Sequence, residues 1–314
     1  SDAASMIRPA NLRGLSADST LITTNGKRRH HASVIAFQGG GVNDGSQGAD
    51  ISVIPAIALK RVEVLRDGAS AQYGSDAIAG VINFVLDDIS EGGSLSYKMG
   101  EYTEGDGATS TIAGKFGMPL GQDGFVTTSF QIRQADDTSR SAQRPDAAAL
   151  IAAGNTAVAN PAQIWGAPKI DDDVTFFMNA GVTNSDGSES YMFGNYSERD
   201  VDGGFYYRNP DGRSGVFTIG DYRAVGNVDG TCSYGTGASG QVDPSNYATR
   251  DAIMADPSCF LMNEIAPGGY TPRFVGTITD TSFTTGRRGE ITDGFLSGYS
   301  FDVSGSVGRN EADF

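Results

Sequence analysis

The sequence predicts an α+β segment over residues 1–90 followed, over residues 91–314, by long antiparallel β-strands of the kind that close into a membrane-crossing barrel. Three observations carry this. The run RVEVLRDGASAQYGSDAIAGVINFVL at 61–86 reads as a strand, a glycine-bearing turn, a small-residue helical turn and a second strand. Later segments alternate apolar and polar residues with a period of two over about ten residues or more, the length a tilted bilayer-crossing strand needs. The connections between those segments alternate between tight and long.

In chain order, the first strand of the run is Arg61 to Leu65, the helical turn surrounds Ala69 to Tyr73, and the second strand starts at Gly80. The later strands are expected near 93–103, 108–118, 124–135, 173–183, 188–200, 273–287 and 295–313. Val126, Thr128, Phe130 and Ile132 share one face, as do Val174, Phe176, Met178, Ala180 and Val182. Phe295, Ser297, Tyr299, Phe301, Val303, Gly305 and Val307 share a third. A soluble sandwich alternates in the same way, so the period leaves open which solvent the apolar face meets. The connections at 119–124, 183–188 and 288–294 are tight, whereas 136–172 and 201–272 are long and acidic. Such asymmetry suits short periplasmic turns and long extracellular loops, with the short EGDG at 104–107 a departure.

Composition excludes other classes. With 43 glycines in 314 residues and a mean hydropathy of -0.26, the chain has no apolar run long enough for a spanning helix, so any crossing is made by strands. Residues 1–90 hold 8 Lys/Arg against 9 Asp/Glu, and residues 91–314 hold 15 against 29. This acidity opposes a nucleic-acid partner, whose phosphates need a continuous basic face. The chain starts at Ser1 with no leader and is expected to be a mature or truncated piece.

The 61–86 run, together with NLRGLSADSTLITTNGKRRH at 11–30 and IPAIALK at 54–60, resembles the plug domain of TonB-dependent outer-membrane receptors. Arg61, Glu63, Arg66, Gly68, Tyr73, Gly74, Asp76 and Gly80 fall at its signature positions. Where related receptors carry Pro near the turn glycine, this chain has Arg66, Asp67, Gly68 and Ala69. The resemblance implies a plug over 1–90, N-terminally truncated, and the first strands of a barrel over 91–314 with extracellular loops at 136–172 and 201–272. Plugged transporters have about 22 strands, so the expected strands make only a partial barrel. It also implies an importer in the outer membrane of a Gram-negative bacterium. Siderophore-bound iron, cobalamin, an oligosaccharide or a similar scarce nutrient would be its cargo. Its partners would be TonB with the inner-membrane energising complex and the surrounding outer-membrane lipid, with no cofactor. A surface adhesin or passive porin-like protein is the alternative, and it leaves the 61–86 run unexplained.

By position in that family, the segment 31–50 is an apical plug loop. Its polar residues Gln38, Asn43, Asp44, Gln47 and Asp50, with His30 and His31, are candidate cargo contacts. The loop aromatics Trp165, Tyr206, Tyr207 and Tyr270 are further candidates. The basic cluster Lys27 to His31 has a structural reading as well, pairing with carboxylates on the barrel lining, and lacks metal-ligand spacing. Gly39 to Gly41 lack the GK[ST] ending of a phosphate loop. Asp171, Asp172 and Asp173 are expected at a solvated loop end rather than around Ca²⁺. Residues 146–160 read as a short loop helix capped by Asp146. No catalytic constellation is present, and an enzyme is not expected. Cys232 and Cys259 share the long loop that the barrel reading places outside the cell, where they should form a disulfide.

Overall fold

A computed structural model describes residues 6–36, 41–235 and 240–314; the candidate Gln38 lies outside them. The chain forms two compact units. One holds the N-terminal portion to Thr138 with Ala167–Gly203 and Phe274–Phe314, and the other holds Ser139–Gly166 and Gly204–Arg273.

Within the first unit, β1 (Thr20–Thr24), β2 (Lys27–Arg28), β3 (Leu59–Leu65) and β4 (Gly80–Leu86) form a sheet in the order β2-β1-β4-β3. β1 and β4 pair in parallel, Thr20 opposite Gly80 through Thr24 opposite Phe84. Both are central and buried on two faces, which is why TLITT and GVINFVL are almost continuously apolar or β-branched. Between β3 and β4 the helical turn α1 (Ser70–Tyr73) ends at Gly74, whose φ of 96° suits glycine. Gly80 has φ 147°, and a Cβ there would sit 2.1 Å from the carbonyl oxygen of Leu65. Only glycine lets β3 and β4 approach at that corner.

The wall follows: β5 (Gly93–Gly100), β6 (Thr109–Pro119), β7 (Gly124–Ala135), β8 (Lys169–Thr183) and β9 (Glu189–Gly204). Four short strands belong to the second unit, β10 (Thr218–Ile219), β11 (Tyr222–Arg223), β12 (Val225–Asn227) and β13 (Cys259–Leu261). The wall continues with β14 (Arg273–Glu290) and β15 (Ser300–Asp313). Its seven strands form one antiparallel meander, β15-β14-β9-β8-β7-β6-β5.

The wall's alternation is inverted relative to a soluble protein. The face against the N-terminal sheet carries Thr127, Ser129, Thr175, Asn179, Asn195, Ser197, Asp280 and Thr284, all buried. On the opposite face Leu95, Met99 and Val303 are 70%, 75% and 70% exposed, with Phe176 and Phe283 exposed among them. At one place the inner face turns apolar: Phe177, Tyr191 and Phe193 pack against Ile22, Val53, Ile54, Ile82, Phe84 and Leu86.

Three boundaries differ most from those expected. β8 starts at Lys169, and a register shift between Ile170 and Asp173 turns Asp173 inward, where it is buried near Arg133 and Arg199. It is not at a solvated loop end; Asp171 instead pairs with Lys169 at 2.5 Å. β9 continues to Gly204. β15 starts at Ser300, because Gly294 and Gly298 at φ 81° and 88° break the extended backbone around Phe295, Ser297 and Tyr299.

In the second unit, α2 (Pro145–Ala152) starts with Pro at its first position and Arg144 as N-cap. Asp146 therefore lies inside the first turn rather than capping it, and its carboxylate pairs with Arg144. That hydrogen bond, ahead of those from Asn209 and the Ala147 N–H, holds the Asp146 carboxyl below the usual range against partial burial. α3 (Tyr247–Met254) is capped by Asn246, which accepts from the Thr249 N–H at 3.0 Å. Cys232 and Cys259 are bonded, with Cα atoms 5.1 Å apart, in a cluster with Val242, Ile253 and Leu261. The fully buried Arg223 donates to Asp211 at 2.7 Å, Asn263 at 3.2 Å and the Pro244 carbonyl. Replacing both cysteines by serine should loosen this unit by about 3–4 kcal/mol in the chain-entropy account. Faster proteolytic nicking within 205–272, with the wall intact, is the expected readout; unchanged protease resistance would contradict it.

Candidate functional site

The candidate site of the first unit is the contact between its N-terminal domain and the wall, and it begins at a turn. Asn25 and Gly26, at φ 48° and 77°, reverse the chain between β1 and β2, and the Asn83 side chain holds them by accepting from the Gly26 N–H at 2.8 Å. The basic residues that follow then divide by side. Arg28 pairs with Asp76 and donates to the Tyr73 carbonyl at 3.1 Å, while His31 lies 3.9 Å from Asp76. The signature residue Asp76 thus orients the strip within its own domain.

Lys27, Arg29 and His30 face the wall. The Lys27 ammonium is 2.8 Å from Asp302, whose other oxygen accepts from the Tyr191 hydroxyl at 2.6 Å. Tyr191 lies between two cations, Lys27 at 5.7 Å and Arg288 at 5.3 Å from its ring centre. Arg29 pairs with Asp280 and donates to Asn195 at 2.8 Å and Ser282 at 3.1 Å; the two charged side chains are 4% and 3% exposed. His30 meets the second Asp280 oxygen at 2.8 Å, and Asn195 and Asn310 donate to the same carboxylate at 2.9 and 3.0 Å. Burial lowers the Arg29 guanidinium from its ordinary value, opposed by Asp280 and Asp50. It remains charged, as arginine does in proteins.

The polarity reverses elsewhere on the contact. Asp50 is buried and paired at 3.1 Å with Arg199 of β9, which also donates to the Met6 carbonyl at 2.6 Å. Lys115 of β6 pairs with Asp87. Asp280, Asp302, Arg199 and Tyr191 were not among the expected residues. Their signal in the sequence is parity, since each lies on its strand's inner face.

This geometry sorts the expected cargo contacts. Asp50 is no apical contact, because its carboxylate is consumed by Arg199 and by the N–H groups of Arg8 and Ser52 at 3.0 and 2.9 Å. His30 is likewise committed to Asp280. Asn43 is tied to the Ala17 N–H at 3.1 Å and to Asn11, and Gln47 donates to the Ala32 carbonyl at 2.8 Å, so both fix the loop's shape. His31 and Asp44 are exposed. Among the aromatics, Trp165 meets Tyr206 edge-on at 5.6 Å, Tyr206 meets Phe205 at 5.1 Å, and Arg208 lies 5.3 Å over Phe205. Trp165 and Tyr206 are exposed. Tyr207 is buried and donates to the Gly268 carbonyl at 2.6 Å, and burial with Asp146 and Asp211 pushes its hydroxyl up to about 12. Tyr270 packs 6.2 Å from Phe217. Tyr207 is a core residue of its unit, and Tyr270 is half-buried. On the signature strands, Glu63 accepts from Arg61 and from Asn83 at 2.7 and 2.8 Å, and Arg66 is exposed. Among the described residues no cluster of His, Cys, Asp or Glu has metal-binding geometry.

A mixed sheet that fills the polar side of an inverted wall defines a plugged barrel, and known proteins agree. Residues 3–81 match the family model "TonB-dependent Receptor Plug Domain". The "Probable TonB-dependent siderophore receptor PirA" of Acinetobacter baumannii is 36% identical over 78 residues, 25% of this chain and 10% of that protein. The "Ferric enterobactin receptor" of Pseudomonas aeruginosa is 35% identical over 78 residues, again 25% and 10%. The match thus spans a tenth of these relatives' length. A mutant ferric enterobactin receptor (PfeA) from Pseudomonas aeruginosa superposes with a TM-score of 0.56 at 16% identity, covering 96% of this chain and 34% of that one. The siderophore receptor PirA from Acinetobacter baumannii gives 0.52 at 16%, covering 96% and 33%. The N-terminal domain is therefore a TonB-dependent receptor plug domain, and the strands after it form part of a barrel wall.

Proposed function

We propose that this chain is the plug and part of the wall of an outer-membrane receptor that binds a ferric siderophore outside the cell and imports it using energy transmitted by TonB. The inverted wall carries this reading. Its apolar face has no protein cover among the described residues and suits lipid, while its polar face meets the plug. A barrel that wide needs a plug to avoid being an open channel. The function is binding and transport rather than catalysis, and siderophores are favoured because the relatives with the matching plug are named for them.

In the loops, Trp165 and Tyr206 offer an exposed edge-to-face platform suited to an aromatic or amphipathic cargo. Replacing both by alanine should weaken binding of radioiron-labelled ferric enterobactin to cells carrying the full-length protein about tenfold or more. The Asn43→Ala variant should disturb the apical loop instead. No saturable binding by the parent protein would overturn the siderophore reading, and unchanged affinity in the double variant would move the site away from these aromatics.

A further inference from the structure

The plug touches the wall in two chemically different ways. At one patch on β8 and β9 the contact is dry, with Phe177, Tyr191 and Phe193 packed into the plug core, and the Arg199–Asp50 pair lies further along β9. On the β14 and β15 side it consists of two ion-pair clasps with an open trough between them. Asp280, held by Arg29 and His30, closes one end, and Asp302, held by Lys27, closes the other. Between these carboxylates the wall shows the plug three cross-strand pairs, Ser282 with Gly308, Thr284 with Ser306 and Gly286 with Ser304. None exceeds threonine in size. A cavity of about 420 Å³ lies along this trough, and Thr24, which lines it, has a buried hydroxyl with no partner among the described residues.

We propose that this trough is the route by which a hydrated, hydrogen-bonding solute passes the plug, with the two clasps opening while the dry contact stays closed. The proposal rests on the import reading above. Separating the dry contact exposes apolar surface to a water-filled lumen, which is unfavourable. Separating the clasps exposes hydroxyls, carboxylates and cations, all of which water solvates. Among the described strands, a plug pulled from below therefore parts first along β14 and β15. The hydroxyls uncovered there can replace part of a polar solute's hydration shell.

A covalent lock tests this. The His30 Cγ lies 2.6 Å from where a Cβ on Gly308 would sit, which puts the two Cβ positions within about 4 Å, the spacing of a disulfide. In cells carrying the full-length protein, the oxidised His30→Cys, Gly308→Cys variant should bind radioiron-labelled ferric enterobactin but take it up at least tenfold more slowly than its reduced form, against the parent under the same reductant. Ser304→Trp, which fills the trough and leaves both clasps intact, should also lower uptake at least tenfold with binding retained. Independently of cargo, Ser304→Cys should react with a membrane-impermeant maleimide at least tenfold faster in energised than in de-energised cells, while Ser197→Cys, buried on the inner face of β9, does not. Equal labelling rates, or parental uptake by either the cross-linked form or Ser304→Trp, would overturn the route. A parent that takes up no ferric enterobactin overturns the siderophore reading alone, and the labelling result then decides the route.

Discussion

Replacing Arg29 by alanine is expected to weaken the docking of the plug on its wall by about 3–5 kcal/mol, the usual cost of removing one partner from a buried ion pair. The magnitude follows from burial. Arg29 and Asp280 are almost inaccessible, so the carboxylate left behind keeps its desolvation penalty and loses its main counter-charge. His30, Asn195 and Asn310 remain to hold Asp280 and offset part of that loss. Removing both charges with Arg29→Met and Asp280→Met should recover much of the stability, since a neutral pair of similar volume leaves no stranded charge. The exposed pair Lys60 and Asp88, 2.7 Å apart, is the control, and breaking it should cost about 1 kcal/mol or less. Protease protection of the plug across a urea series in the full-length protein measures all three. Equal, small effects from Arg29→Ala and Lys60→Ala would show that the clasp does not hold the plug.

Phe283→Arg is expected to impair assembly into lipid by about 2–4 kcal/mol, the cost of a basic side chain on the lipid face near the midplane. Phe283 lies midway along β14, opposite Val307, and both point away from the plug. Ser304→Arg carries the same charge on the inner face and should assemble as the parent does. Folding yield into vesicles, or heat-resistant protein recovered from membranes, reads the difference. Equal tolerance of arginine at 283 and 304 would contradict a lipid-facing apolar surface.

The plug's strand-turn-strand run was legible because everything it needs is local. β3 and β4 begin and end within two residues of the expected strands, with Gly74 and Gly80 at the corners where glycine is required. Wall parity was equally legible, as at Val174, Phe176 and Met178. What the parity faces was not, because period-two alternation is the same in a sandwich and a barrel. The clasps were hidden for another reason. Arg29 and Asp280 are 251 positions apart, and only the closure of the wall on the plug brings them together. The basic cluster's structural reading pointed toward such carboxylates without naming them. The same cluster, with Asp50, was also a cargo candidate because a polar residue in an apical segment looks alike whether it greets solvent or Arg199. The aromatics divided similarly, with Tyr207 in the interior, Tyr270 half-buried, and Trp165 and Tyr206 at the surface. The apparent start of the last strand at 295 failed because two left-handed glycines interrupt an alternation that continues in sequence but not in space.

The proposed import requires that a plug seated in a lipid-facing wall be moved by energy from outside this chain. Its most direct test is uptake of radioiron-labelled ferric enterobactin by cells carrying the full-length protein, with and without a protonophore, and with and without TonB. Accumulation should stop when either the proton gradient or TonB is removed, while surface binding persists at its former affinity. Accumulation at an unchanged rate in de-energised cells would contradict the account and make the protein a passive channel.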